Sequence, residues 1–219
     1  MVGEHILKQT RLNSYFLFSI IVVATLTLNY LLNHWIITEN HVIGFLQEQM
    51  GYDRILRLLE LRSSLEWITY MSLPVVYLLK FLLISLWIVS GAVLFGYQVS
   101  FSSVFRVVLF SEIVWLVPLT ILIVWFGFIH SEYTLIEVQH FAPLSLLTLV
   151  DPSAVDAWLI QPLKAINLFE IAYILILSYN FSRIMEKRFG ASLQFMSAVY
   201  GSALLVWIII ISFISINLS

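Results

Sequence analysis

The chain has 219 residues, of which 61% are apolar and 11% charged, with a formal net charge of −2 and a mean hydropathy of +0.96. Soluble domains carry about 25% charged residues, so this composition excludes a disordered chain, a nucleic-acid binder and a disulfide scaffold. The chain has no cysteine, which also excludes thiolate metal sites and cysteine nucleophiles. We predict an all-α polytopic membrane protein whose residues 1–219 form a single transmembrane domain in contact with the lipid bilayer.

Five stretches hold the roughly 20 apolar residues that a helix needs to cross a hydrocarbon core of about 30 Å. The predicted spans cover residues 13–35, 71–97, 104–128, 159–184 and 193–218. The apolar run of the first is longer than that of a signal peptide. We therefore expect it to remain as an anchor and the five spans to form a compact bundle.

The segment between the first two spans is too polar to cross a membrane. Its apolar residues recur near helical spacing, while charged residues occupy other faces; the apolar set includes Leu46, Met50, Ile55, Leu58, Leu59 and Leu65. This pattern predicts an amphipathic helix over residues 43–66 in the membrane interface. Two interpretations of this helix remain open: it is a connector packed on the bundle, or it is a surface that binds a partner or lipid.

The connection between the third and fourth spans is unusually apolar in its second half. Residues 141–156 read FAPLSLLTLVDPSAVD, and most of the large side chains in this stretch are aliphatic. A free aqueous loop would be more polar, so we expect a short re-entrant or lid element that dips into the interface or plugs the bundle.

The basic residues predict the orientation through the positive-inside rule. With five spans, one side of the membrane receives Lys8, Arg11, Arg106, Arg183, Lys187 and Arg188. The N-terminus is therefore predicted to be cytoplasmic and the C-terminus outside. Arg54, Arg57 and Arg62 fall on the other side, where they alternate with acidic residues, so an even number of spans remains an alternative.

Sequence signatures of catalysis are missing. The chain has no Gly-rich phosphate loop, no HExxH and no GxSxG motif. Glu137 and His140 have a metal-compatible spacing, but two candidate ligands do not make a site. We therefore predict no catalytic residue, no metal and no cofactor.

Charged residues inside the spans are functional candidates because each costs at least about 2.5 kcal/mol to insert. Lys80 and Glu170 fall at similar depth below the predicted outer surface, which predicts an ion pair between them. Asn167 lies one turn from Glu170 and joins this polar cluster. Glu112 is predicted nearer the inner face, facing Gln194, Ser197 or Tyr200. Three roles for these charged residues remain open: they hold the helices in register, they form a polar pathway, or they dock a partner helix.

Two stretches carry a family resemblance. Residues 96–118 read GYQVSFSSVFRVVLFSEIVWLVP, a Gly-containing turn, a Ser-Phe step, an apolar helix and a proline. Residues 161–184 read QPLKAINLFEIAYILILSYNFSRI, with Pro162, Asn167 and Phe169 at recognisable positions. Together with Phe141–Leu144, this resembles the bacterial branch of the Yip1 (Ypt-interacting) superfamily over residues 70–215. The resemblance implies five spans with a cytoplasmic N-terminus and no settled activity.

The eukaryotic members of that family carry an Asp-Leu-Tyr-Gly-Pro type motif, which this chain does not have. Binding to small GTPases is therefore not implied. Our leading prediction is a non-catalytic subunit or scaffold of a membrane-protein complex, in the bacterial cytoplasmic membrane. A small permease that uses the intramembrane charges is the alternative, and an intramembrane enzyme ranks third.

Overall fold

The computed structural model describes residues 14–47 and 50–218, which form helices joined by turns and loops. Within these two ranges, five stretches are long and apolar enough to cross a membrane: Ser14–Ile36, Tyr52–Leu94, Phe101–Ile129, Leu168–Met185 and Phe189–Asn217. The all-α polytopic prediction is therefore confirmed. Lys8 and Arg11, which contributed to the predicted orientation, lie outside the described residues.

The α-helices are numbered in chain order, and the first and third spans also contain short π or 3-10 turns. They are α1 (Ser14–Leu31), α2 (Glu39–Leu46), α3 (Tyr52–Leu94), α4 (Phe101–Ser111), α5 (Leu116–Val124), α6 (Leu135–His140), α7 (Ala157–Ala165), α8 (Leu168–Met185) and α9 (Phe189–Leu218). The π turns Leu32–Ile36 and Trp125–Ile129 end the first and third spans.

Helix α3 is much longer than a membrane is thick. Its 43 residues extend about 65 Å at 1.5 Å per residue, roughly twice the hydrocarbon core. The predicted separate interfacial helix over residues 43–66 is wrong, because residues 52–66 continue into the second span without a break. Only Pro74 could interrupt this helix, and the helix passes through it.

A 3-10 turn, Glu112–Trp115, divides the third span between α4 and α5. Pro118 accounts for its position, because proline has no N–H to donate to the carbonyl four residues earlier. At the start of the span, Ser100 caps α4 by accepting a hydrogen bond from the Ser103 N–H. The preceding turn uses Gly96 at φ 73°, and the Tyr97 N–H donates back to the Ala92 carbonyl.

The predicted fourth span over residues 159–184 is also divided, since α7 ends at Ala165 and α8 begins at Leu168. Asn167 takes an extended conformation and caps α8 with its side chain. The apolar loop pairs with this break: Leu146 N–H donates to the Ile166 carbonyl, and Leu168 N–H to the Leu144 carbonyl, both at 3.0 Å. The loop thus satisfies backbone groups that lipid could not.

Helices α3, α4, α8 and α9 surround the main core. Lipid is as apolar as the side chains, so close packing and hydrogen bonds hold membrane helices together. At the α3–α9 crossing, a Cβ on Gly91 would lie 2.5 Å from a Val199 methyl carbon. The indole N–H of Trp87 donates to the Val199 carbonyl at 2.9 Å, which fixes the same crossing.

The two ends of the bundle differ in charge. The end with the α3–α4 and α8–α9 turns, where the rings of Tyr97 and Phe195 lie 5.3 Å apart, is called the basic end. It carries the exposed side chains of Arg106, Arg183, Lys187 and Arg188. The opposite end, called the loop end, holds α2, α6 and the loop of residues 141–156.

A candidate functional site: the buried polar cluster

Lys80 and Glu112 form an ion pair between the second and third spans. Lys80 lies on α3, Glu112 opens the 3-10 turn, and the ammonium Nζ donates to Glu112 Oε1. The Glu112 side chain is 1% exposed, whereas that of Lys80 is 41% exposed. The Lys80 Nζ also lies 5.6 Å and 5.7 Å from the ring centroids of Tyr77 and Trp115. Ring faces attract cations, so the ammonium is stabilised from several sides.

Glu170 is held by the fourth and fifth spans instead. The Tyr200 hydroxyl on α9 donates to Glu170 Oε1 at 2.6 Å. Glu170 lies in the first turn of α8, where its backbone N–H donates to Asn167 Oδ1 at 2.8 Å. A carboxylate in the first turn is also favoured by the positive end of the helix dipole.

The predicted Lys80–Glu170 ion pair is therefore wrong. The prediction that Glu112 contacts Gln194, Ser197 or Tyr200 is wrong as well, since Glu112 is bonded to Lys80 and Tyr200 is bonded to Glu170. The predicted pairing compared the depths of these residues in the membrane, and those depths were counted from the predicted ends of the spans. Counted from the turn that joins α3 to α4, Lys80 and Glu112 differ by about three residues, or roughly 4.5 Å, which a lysine side chain can reach. Because α8 begins only at Leu168, Glu170 lies at the end of a helix rather than in mid-span.

The four predicted residues nevertheless occupy one neighbourhood. Asn167 caps the first turn of α8, which carries Glu170, and α8 packs against the 3-10 turn that begins at Glu112, the partner of Lys80. Tyr173, which is fully buried one helical turn after Glu170, was not among the predicted residues. That spacing, three residues on from a buried carboxylate, was the signal that could have identified it.

Two oxygens of the cluster have no hydrogen-bond partner among the described residues. They are Glu112 Oε2 and the Tyr173 hydroxyl, and both are buried. The Tyr173 ring lies between two other aromatic rings of the cluster, with centroids 6.1 Å from Trp115 and 5.2 Å from Tyr200. Buried polar atoms are almost always paired in proteins, so these two are unusual.

A second polar group lies at the loop end, outside the spans. The Lys164 ammonium donates to the Gln139 carbonyl, and the Asn167 side-chain amide donates to the Lys164 carbonyl at 2.9 Å. Burial lowers the pKa of Lys164. Burial, and then the nearby charge of Lys164, lowers the pKa of His140. These contacts fasten the loop to the end of α7, next to the cap of α8.

Two surface grooves lie outside the cluster. A groove of about 390 Å³ runs along the α5 side of the third span and is lined almost entirely by apolar residues, among them Leu116, Val117 and Trp125. A second groove, of about 620 Å³, follows the turn of residues 93–100. Neither is lined by Lys80, Glu112 or Glu170. Among the described residues, no three His, Cys, Asp or Glu side chains come close enough together to hold a metal ion.

Comparison with protein-family models, with curated proteins and with solved structures gives no match. The geometry of the cluster shows what these side chains do within the chain: each carboxylate links one span to another. Lys80–Glu112 joins the second span to the third, and Glu170–Tyr200 joins the fourth to the fifth.

A double-mutant cycle tests the first of these links. Lys80→Met leaves Glu112 buried without its counter-charge, and we expect a loss of about 3 kcal/mol in unfolding free energy, the low end for a buried pair because Lys80 is half-exposed. Adding Glu112→Gln should recover much of that loss, because two neutral groups need no compensation. Unfolding by denaturant in mixed micelles measures both values.

The matched control combines Lys80→Met with Glu170→Gln. Since Glu170 bonds to Tyr200 rather than to Lys80, we expect the two losses to be much closer to additive than in the Glu112 cycle. Greater recovery with Glu170→Gln than with Glu112→Gln would contradict the observed pairing.

Proposed function

We propose that the protein is a Yip1-like, non-catalytic subunit of a membrane-protein complex, which binds a transmembrane helix of a partner along α3. The observation that carries this proposal is the exposed apolar stripe on the part of α3 that extends beyond the membrane. Residues 52–66 contain six charged residues and measure about 22 Å, too polar to lie in the hydrocarbon core. Within this stretch, Leu58, Leu61 and Leu65 are 42%, 55% and 50% exposed.

The stripe continues along α3 into the membrane-spanning part. Exposed apolar residues recur on it at spacings of three, four and seven, namely Leu58, Leu61, Leu65, Ile68, Val75, Leu79 and Leu86. This is the heptad spacing by which one helix packs along another. Lipid can cover the inner part of the stripe but not the leucines beyond it. A partner helix that also crosses the membrane would cover both parts.

Charge argues for a different protein over a second copy of this chain. Two copies in one membrane share the same orientation, so their α3 helices would pack in parallel. Arg57 and Arg62 flank the stripe, five residues apart and both exposed, and a parallel copy would bring Arg57 of one chain against Arg62 of the other. A partner helix with acidic residues at its outer end is electrostatically complementary to these arginines.

Photo-crosslinking tests the partner surface. A photoreactive phenylalanine analogue at Leu61 or Leu65 in the full-length protein, expressed in its native membrane, should give one discrete adduct with another membrane protein. The same analogue at Phe213, an equally exposed position on α9, should give none. Replacing Arg57 and Arg62 together by Glu should abolish the adduct, because it reverses the complementary charge. Mass spectrometry should identify a partner with acidic residues flanking a transmembrane helix.

Three outcomes would contradict the proposal. An adduct between two copies of this chain would show that the stripe is a dimer interface. An adduct that persists with Glu at positions 57 and 62 would show that charge does not select the partner. No adduct at either position would show that no helix covers the stripe.

We propose that the basic end faces the cytoplasm, which places the N-terminus inside and the C-terminus outside, in the cytoplasmic membrane of a bacterium. The exposed cations Arg106, Arg183, Lys187 and Arg188 support this orientation, because they share one end of the bundle.

Cysteine labelling tests the orientation, and the absence of native cysteine makes single substitutions unambiguous. In intact cells, an impermeant maleimide should label a cysteine at Glu132, at the loop end. A cysteine at Lys187 should react only after the membrane is permeabilised. The reverse pattern would contradict the proposed orientation.

A small permease is the second candidate, and one observation favours it. Both buried carboxylates lie where a span is interrupted, Glu112 at the 3-10 turn and Glu170 at the break before α8. Interrupted helices form the ion and substrate sites of many transporters. Ion or solute flux through proteoliposomes of the pure protein, abolished by Glu112→Gln, would replace the scaffold proposal with this one.

A further inference from the structure

The buried polar cluster has an unbalanced formal charge. Among the described residues, the cluster holds two buried carboxylates, those of Glu112 and Glu170, and one ammonium, that of Lys80. With both carboxylates ionised, the interior of the bundle carries one excess negative charge. An uncompensated charge in a low-dielectric interior is strongly destabilising, so the cluster requires one further positive charge.

The same cluster holds two oxygens without a hydrogen-bond partner, Glu112 Oε2 and the Tyr173 hydroxyl. The two residues lie on adjoining elements, because α8 packs against the 3-10 turn that begins at Glu112. The Tyr173 ring lies 6.1 Å from the ring of Trp115, the last residue of that turn. Tyr173 also lies one helical turn after Glu170 on α8. The excess charge and the unpartnered oxygens therefore lie in one place.

Three small species could occupy such a site, and they differ in what they supply. A proton on Glu170 balances the charge but leaves both oxygens unpartnered. A water molecule could accept from Tyr173 and donate to Glu112, but it adds no charge. Of the three taken singly, only a monovalent cation both supplies the positive charge and is coordinated by oxygens.

We propose that this cluster binds one alkali-metal cation, Na⁺ or K⁺, through Glu112 Oε2 and the Tyr173 hydroxyl. Carboxylate and hydroxyl oxygens are hard ligands that suit such ions. A divalent ion would overcompensate, because Lys80 already supplies one of the two charges needed. The proposal does not depend on whether the protein is a scaffold or a permease, since a cation held here links the third span to the fourth in either case.

Thermal unfolding of the purified full-length protein in detergent tests the site. At constant pH and ionic strength, choline chloride is replaced stepwise by NaCl or by KCl. Because a ligand that binds only the folded state stabilises it by mass action, the midpoint should rise with the alkali cation and then level off as the site saturates. The preferred ion is the one whose chloride salt raises the unfolding midpoint at the lower concentration.

Tyr173→Phe is the decisive variant, because it removes one oxygen and leaves the Lys80–Glu112 pair in place. We expect it to fold in choline chloride and to lose most of the cation-dependent shift. Tyr97→Phe, at the basic end, is the matched control and should keep the whole shift. Glu112→Gln should also lose the shift, and if that variant does not fold, Tyr173→Phe still decides.

Equal midpoints in NaCl, KCl and choline chloride would overturn the proposal. A cation-dependent shift that survives Tyr173→Phe would overturn it as well, because the ion would then bind elsewhere. A midpoint that follows pH but not the cation would show that a proton balances the charge.

Discussion

A charge inside a bilayer must find a counter-charge within the protein, and in this bundle that constraint joins Lys80 to Glu112. The pair connects α3 to the 3-10 turn at the point where the third span is already interrupted. Glu170 has no such counter-charge as a direct partner, and is held by a hydroxyl donor and by its place in the first turn of a helix. Three of the five spans are thus positioned around buried acidic groups, and the fifth span supplies Tyr200.

Interruptions of the helices follow a related rule, since free backbone groups are as costly in lipid as free charges. At the break between α7 and α8, the Asn167 side chain and the apolar loop provide the hydrogen bonds that a continuous helix would have made. This explains why residues 141–156 are so apolar for a connection: the loop lies against the bundle and pairs with it. The half-buried Lys164, bonded to the Gln139 carbonyl, holds the loop in that place.

Much of the architecture could be predicted from hydropathy alone, because a span needs a fixed length of apolar sequence. The ends of the first, third and fifth spans were placed to within a few residues. The pairing of the charges was not predictable in the same way, because depth along a helix depends on where that helix begins. Asn167 and Pro118 were the local signals of the two interruptions. Interpreting Asn167 as a helix cap would have placed Glu170 in the first turn of a helix. The predicted interfacial helix ended at residue 66 because the polarity of the sequence changes there, whereas α3 continues past Trp67 and contacts α1 and α2.

The arrangement of the second, third and fourth spans described above requires that Lys80 is paired with Glu112 and not with Glu170. Solid-state NMR of the protein in lipid bilayers, with ¹⁵N-lysine and ¹³C-glutamate labels, measures the dipolar coupling between the Lys80 ammonium nitrogen and a carboxylate carbon. We expect strong coupling from the Lys80 nitrogen to a carboxylate that disappears in Glu112→Gln and persists in Glu170→Gln. Coupling that disappears in Glu170→Gln and persists in Glu112→Gln would contradict the account.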